Sequence, residues 1–151
     1  MIRLRNFQRR DLDELYQLDQ VCFPPEIAYS RAELQYFLTN PRCSCWIAER
    51  PEDKLAGFLI LERATRNGLP VGHIVTLDVD PRERRHGLGR LLMQTAEEQT
   101  RREGAGSMSL EVAENNPAAQ QFYRSLGFVT RGRIANYYGG RVDAEVMEKS
   151  I

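Results

Sequence analysis

The hexapeptide "RRHGLG", residues 84 to 89, joins a strand-like run, "HIVTLDV", to a segment with apolar residues at helical spacing. The turn therefore sets a helix start above a strand end. The first amides of a helix have no intrahelical partner, and the macrodipole adds roughly 0.3–2 kcal/mol for negative charge placed there. Arg84, Arg85 and Arg90 offer charge-assisted contacts, His86 lies inside the turn, and Gly87 and Gly89 carry no side chain to hold a ligand off the backbone. Such a set suits a phosphate or pyrophosphate. A packing turn with solvated arginines is the plainer account of the same residues. No G-K-[ST] follows, and Leu92 stands where a dinucleotide fingerprint would have its third glycine, which lowers ATP and NAD as guests.

Three other side chains can move protons. Glu111 sits in "SLEV", where Met108, Leu110 and Val112 alternate with Ser109 and Glu111, so its carboxylate points to the opposite sheet face. By itself it reads as a solvated strand glutamate. Tyr123 offers a phenol that is protonated at neutral pH and able to donate, or simply a packed aromatic like Phe122 beside it. His73 opens its strand, where an imidazole can relay a proton through water or lie exposed to solvent.

The elements that must position these groups follow from pattern. "IRLRNF" reads as a first strand. Asp11 with Glu14, and Ser30 with Glu33, look like capping boxes opening two short helices. "SCWIAER" and "LAGFLILER" flank the turn-like "PEDK" as a hairpin, and "RNGLPVG" turns into "HIVTLDV". Leu88, Leu91, Leu92 and Ala96 predict a long helix that Gly104 stops. "SMSLEV" alternates as a strand. Asn116 is placed to cap a helix with Pro117 at its first position and Gly127 past its end, and "FVTRGRIANYY" and "AEVMEKS" close the chain as strands. The order predicts a mixed α/β (α+β) fold, about seven strands in a mostly antiparallel sheet with four helices.

The 151 residues are most simply one domain spanning 1–151. Lys+Arg and Asp+Glu both total 21, so no global charge argues for nucleic acid or an anionic membrane. The start lacks the apolar core of a signal peptide, and no segment approaches the roughly 20 apolar residues of a membrane span, which predicts a cytoplasmic protein. Cys22, Cys43 and Cys45 form an odd set without C-x-x-C spacing, arguing for reduced, buried thiols rather than disulfides or a metal site.

"LDVDPRERRHGLGRLLM" resembles the acyl-coenzyme A motif of the GNAT acetyltransferase superfamily, R/Q-x-x-G-x-G/A, filled by Arg84, Gly87 and Gly89. "LEVAENNPAAQQFYRSLGF" is similar to that superfamily's next segment, and "NYY" at 136–138 to its branches that acetylate protein N-termini. The joint occurrence in order covers nearly the whole chain, and the RimI-type family, which acetylates the α-amine of a ribosomal protein, is the closest in look. The resemblance implies the GNAT fold with strands splayed around an acetyl-CoA cleft. It implies that the backbone at Leu77, Asp78 and Val79 pairs with the pantetheine arm, that residues Arg85, His86, Gly87, Leu88, Gly89 and Arg90 hold the pyrophosphate, and that Asn116 contacts the arm as well as capping its helix.

The same resemblance implies catalytic roles. RimI-type enzymes carry a general base in the "LEV" context and a general acid tyrosine twelve positions later, which here are Glu111 and Tyr123. His73 occupies a position where some eukaryotic N-terminal acetyltransferases place a proton-accepting residue. Acetyl transfer needs a neutral amine. An α-amine of pKa about 7.7–8.0 is roughly 10–20% neutral at pH 7, whereas a lysine is neutral less than about one part in a thousand.

In the resembled family the loop "CFPPEIAYS" and the "NYY" strand end flank the incoming peptide. Phe23, Pro24, Tyr29, Tyr137 and Tyr138 are thus substrate-binding candidates, and core aromatics in a turn are the alternative. Bacterial members usually have a tryptophan soon after "FP", whereas this chain has Pro25 and then Tyr29, closer to eukaryotic and archaeal relatives. The expected acceptor is a protein N-terminus, a ribosomal protein included. A small amine such as a polyamine or aminoglycoside is the alternative, and a non-catalytic acyl-CoA-binding module a further one. The expected assembly is a monomer or homodimer.

Overall fold

A computed structural model describes all residues, 1–151. The strands are β1 (Arg3–Asn6), β2 (Cys43–Arg50), β3 (Lys54–Arg66), β4 (Leu69–Val79), β5 (Ser107–Ala113), β6 (Val129–Tyr138) and β7 (Val142–Ser150). The helices are α1 (Leu12–Cys22), α2 (Arg31–Thr39), α3 (Leu88–Arg102) and α4 (Pro117–Ser125). All seven strands form one sheet in the order β1-β2-β3-β4-β5-β7-β6. Every pairing is antiparallel except β4 with β5, in keeping with the mostly antiparallel sheet that the sequence predicted.

Each sheet face carries its own core. Leu59, Leu61, Ile74, Met108, Leu110 and Met147 meet Leu88, Leu92, Met93 and Ala96 of α3. On the other face Cys45, Ile47, Phe58 and Ile60 meet Leu15, Leu18 and Leu34 of α1 and α2. The period-2 alternation of the strands, set against the 3.6-residue period of the helices, produces these two layers. Helix α3 crosses β4 so closely that a Cβ on Gly72 would lie 2.3 Å from Oγ1 of Thr100.

Two sequence expectations about caps part ways. Ser30 and Glu33 do form the predicted box at α2. Asp11 does not cap α1 with its side chain; its carboxylate accepts the Gln8 amide at 2.7 Å and the two terminal guanidinium nitrogens of Arg5. The Arg5 fork on β1 and the Gln8 amide take that carboxylate, leaving none of it for the first amides of α1. No helix is long and apolar enough to cross a membrane.

The feature that makes a site is local. Strands β4 and β5 pair only through Gly72, His73 and Ile74 with Met108, Ser109 and Leu110. On the other edge of β4 the register with β3 jumps from Thr76 to Ile74, leaving Val75 in a bulge. A bulge bends its strand. The bend falls where the pairing with β5 stops, so Leu77, Asp78 and Val79, still paired with Leu59, Phe58 and Gly57 of β3, open onto a cleft on their β5 side.

Candidate active site

At the floor of the cleft the α3 start is as bare as the sequence predicted. The first helical bond runs from the Leu91 amide to the Gly87 carbonyl, and no backbone acceptor takes the amides of residues 84 to 90. Arg85 at φ +67° and Gly87 at φ +81° turn successive amides to one side, the form of an anion-binding nest. A Cβ on Gly87 would meet nothing, so the glycine serves its left-handed backbone. Gly89 is different. Its Cβ would lie 3.2 Å from the Phe122 ring, so the missing side chain makes room for α4. Arg84 also departs in part: its Nε donates to the Val79 carbonyl at 3.3 Å, a carbonyl that the Cys22 thiol reaches at 3.4 Å. That oxygen, expected on the pantetheine side, is already in use.

The residues present fit a diphosphate on a long arm. They offer unpaired amides at the mouth, an unpaired strand edge above it, and Arg85, His86 and Arg90 around it. Asn116 caps α4 through Oδ1, which accepts the Ala119 amide at 3.1 Å, and its amide hydrogens stay available.

Farther along the cleft lies a hydrogen-bonded array that the sequence did not foretell as a unit. Glu62, His73 and Glu111, on β3, β4 and β5, share one sheet face because His73 is in register with both Glu62 and Ser109. Nε2 of His73 lies 2.8 Å from Glu111 and Nδ1 lies 3.3 Å from Glu62. Glu111 is 11% exposed, so it is not the solvated strand carboxylate that the pattern alone suggested. Nor is His73 an exposed lone imidazole. Burial alone would lower its pKa, but the Glu111 and Glu62 carboxylates outweigh burial and hold it above the ordinary histidine value. Burial likewise pushes Glu111 up, and the ring, Arg66 at 3.6 Å and the Tyr137 hydroxyl at 3.4 Å bring it below the usual carboxylate range.

Tyr123 sits on the inner side of α4, edge-on to Phe122 and Phe128 with centroids 5.2 and 5.9 Å away. Burial first, and the Asp78 carboxyl second, push its phenol well above the ordinary tyrosine value. Asp78 itself is fully buried. Its Oδ1 accepts the Thr76 hydroxyl at 2.6 Å, while Asp19 accepts the Tyr29 amide at 2.7 Å through Oδ2. The remaining oxygens, Asp19 Oδ1 and Asp78 Oδ2, have no donor. Burial and the facing carboxyl raise the pKa of Asp78 well above the usual range, as one shared proton between the two groups requires. The sequence did carry a sign of this: Asp19 follows Leu15 by four positions, on the apolar stripe of α1.

The aromatic candidates divide. Tyr29 packs edge-on to Phe37 at 5.4 Å and donates its hydroxyl to the Val75 carbonyl at 3.2 Å, tying the α1–α2 loop to the bulge. It is thus as much core as wall. Tyr137 and Tyr138 stand 4.9 Å apart, edge to face, because the register of β6 breaks between Ile134 and Tyr138, with Asn136 at φ +54°. The break cancels the alternation that would send neighbours to opposite faces. Phe23 is half-buried and Pro24 exposed in the same loop. That loop reaches the β6–β7 turn, where a Cβ on Gly139 would lie 3.0 Å from Glu26. The cysteines are free, and burial pushes Cys43 up to about 11 and Cys22 up to about 12, which leaves no thiolate at neutral pH.

The sequence model of the acetyltransferase (GNAT) family matches residues 12–128. The catalytic subunit ard1 of the N-terminal acetyltransferase A complex of Schizosaccharomyces pombe is 33% identical over 127 residues, 79% of this chain and 71% of that protein. The chain spans 61% and 63% of two further curated relatives. The crystal structure of the ribosomal-protein-S18-alanine N-acetyltransferase from Escherichia coli superposes with a TM-score of 0.85 at 26% identity, over 100% of this chain and 94% of that one. Arabidopsis thaliana NAA60, solved in complex with acetyl-CoA, superposes at 0.86 with 21% identity, over 100% and 99%.

Proposed function

The chain belongs to the acetyltransferase (GNAT) family and is an acetyl-CoA-dependent N-acetyltransferase, and on that premise we propose that its acceptor is the α-amine at the start of a protein chain. In this reading the amides of residues 85 to 90, with Arg84, Arg85, His86 and Arg90, would hold the diphosphate. The edge of β4 at Leu77, Asp78 and Val79, apart from the Val79 carbonyl that Arg84 and Cys22 already hold, would carry the pantetheine arm, with Asn116 beside it. Bound there, acetyl-CoA supplies an acetyl group activated as a thioester.

The chain's own groups then divide the proton work. Glu111, hydrogen-bonded to His73, takes a proton from the incoming ammonium and frees the nitrogen lone pair. Tyr123 keeps its proton through neutral pH, since burial and Asp78 oppose its ionisation, and can therefore give it to the departing sulfur. The high thiol pKa values of Cys22 and Cys43 argue against an acyl-cysteine and for direct attack by the amine. An α-amine, already roughly 10–20% neutral at pH 7, asks less of a base whose carboxylate sits below the usual range than a lysine would. Phe23, Pro24, Tyr29, Tyr137 and Tyr138 would flank the first residues of the peptide.

The observation that carries this reading is the Glu111–His73 hydrogen bond at 2.8 Å with the Tyr137 hydroxyl on the same carboxylate oxygen, a base joined directly to the aromatic wall. The Escherichia coli neighbour is a ribosomal-protein-S18-alanine N-acetyltransferase, which makes a ribosomal protein one acceptor to try. The test is a panel of peptides with free N-termini, N-blocked lysine peptides, polyamines and aminoglycosides, read by thiol release and by mass spectrometry. Acetyl on the α-nitrogen is the expected result. Turnover confined to lysine side chains or small amines would refute the assignment.

A further inference from the structure

Among the groups that the proposed mechanism leaves idle, Glu62 stands out by position. Its carboxylate takes the one ring nitrogen of His73 that Glu111 does not. We propose that Glu62 is a positioning residue of the proton-accepting group: by holding Nδ1 while Nε2 faces Glu111, it makes the ring and Glu111 act as one base. The proposal rests on the acceptor-site reading above and deepens it.

A neutral imidazole ring has one N–H and one lone pair, whereas the cation has two N–H groups. Between two carboxylates the neutral ring must turn its lone pair on one of them. Only the cation satisfies both. A proton leaving the acceptor's ammonium therefore has a favourable destination. The ammonium N–H bond breaks, the electron pair stays on the amine nitrogen, and the proton enters the hydrogen bond between Glu111 and Nε2. The ring ends as a cation with Nδ1–H donated to Glu62. Release to solvent completes the cycle on the Glu62 side, where the side chain is 27% exposed against 11% for Glu111.

Other charges facing the array come from every strand around it. Arg66 of β3 lies 3.6 Å from Glu111 and 3.7 Å from Glu148 of β7, and the Tyr137 hydroxyl of β6 reaches Glu111 at 3.4 Å. Arg66 opposes proton uptake at Glu111, which leaves Glu62 as the carboxylate that favours the cationic ring without a cation within salt-bridge reach of its own. Its strand position explains the geometry, since Glu62 and His73 are cross-strand partners on β3 and β4.

The substitution Glu62→Gln tests this with little change of shape, because the amide carbonyl can still accept from Nδ1 and only the charge is lost. Nuclear magnetic resonance reads the ring directly: the chain has two histidines, His73 and His86, so a His86→Asn spectrum assigns both. The expected result is that His73 in Glu62→Gln gives up its proton at lower pH than in the unmodified chain. The acid limb of kcat/KM should move the same way, kcat at its plateau should fall roughly tenfold, and KM for acetyl-CoA should hold. Glu62→Asp, which keeps the charge, should stay near the unmodified values. An unchanged His73 titration in Glu62→Gln overturns the proposal whatever the enzyme's substrate. A shifted titration with an unmoved acid limb overturns the claim that ring and Glu111 act as one base. Absence of α-amine acetylation in the unmodified chain would count against the acceptor assignment, and the spectra would still decide the role of Glu62.

Discussion

Replacing Asp78 by asparagine should change how stability responds to pH while leaving the packing intact. The two buried carboxyls of Asp19 and Asp78 are each satisfied on one oxygen, by the Tyr29 amide and the Thr76 hydroxyl, and the two leftover oxygens need a proton between them. Burial and the neighbouring carboxyl raise the folded-state pKa of Asp78. Below about pH 3.9 the unfolded chain is protonated too, and nothing is lost. Above that, the unfolded chain releases the proton and the folded chain keeps it. Folding stability then falls by about 1.4 kcal/mol for each pH unit until the pair itself ionises. An asparagine at 78 can still accept from Thr76 through its oxygen and donates an amide hydrogen to Asp19 without any proton uptake. The stability of Asp78→Asn relative to the unmodified chain should therefore climb with that slope, starting near parity at pH 4. Urea unfolding midpoints for both chains at each half unit from pH 4 to 8, with equal m-values, measure it. Taking the difference removes the opposite trend from Asp11, Glu97 and Glu111, whose pKa values are lowered. A difference that stays flat across this range would refute the shared proton.

Tyr123→Phe should lower kcat roughly 100-fold while leaving coenzyme A affinity by calorimetry unchanged, and equal activity would remove the phenol from the mechanism. Gly87→Val places a branched side chain at φ +81°, which should distort the turn and weaken coenzyme A binding about tenfold; undiminished affinity would refute the cradle at the α3 start.

Element order was legible throughout because each segment states its period plainly: "SMSLEV" alternates, and Leu88, Leu92 and Ala96 fall on one helical face. Punctuation helped, with Gly104 and Gly127 both at positive φ just past their helices. Side-chain chemistry was less legible, for a definite reason. Asp11, read as a cap, went to Arg5, a residue on another element. Gly89, read only as space for a ligand, also makes space for Phe122, thirty-three positions on. Glu62 drew no notice because it looks ordinary in its own segment and its partner His73 stands on a different strand, while Asp19, though on the apolar stripe of α1, has its partner Asp78 on β4. Local pattern reports backbone conformation and facing; it does not report which two faces will meet. The Val75 bulge belongs to the same class, since it exists only as a mismatch between two strands.

The short seam between β4 and β5 has a mechanical meaning. Two leaves, β1 to β4 and β5 to β7, are bound along a spine of three residue pairs, the shortest pairing in the sheet, so few strand hydrogen bonds oppose a change in the angle between them. Acetyl-CoA bound as proposed would lay its arm along the exposed edge of β4 as a partial extra strand and would stiffen that angle. Hydrogen exchange at the amides of residues 75 to 79 should therefore slow when the arm is in place, and the same stiffening should pass across the spine to the leaf that carries Glu111.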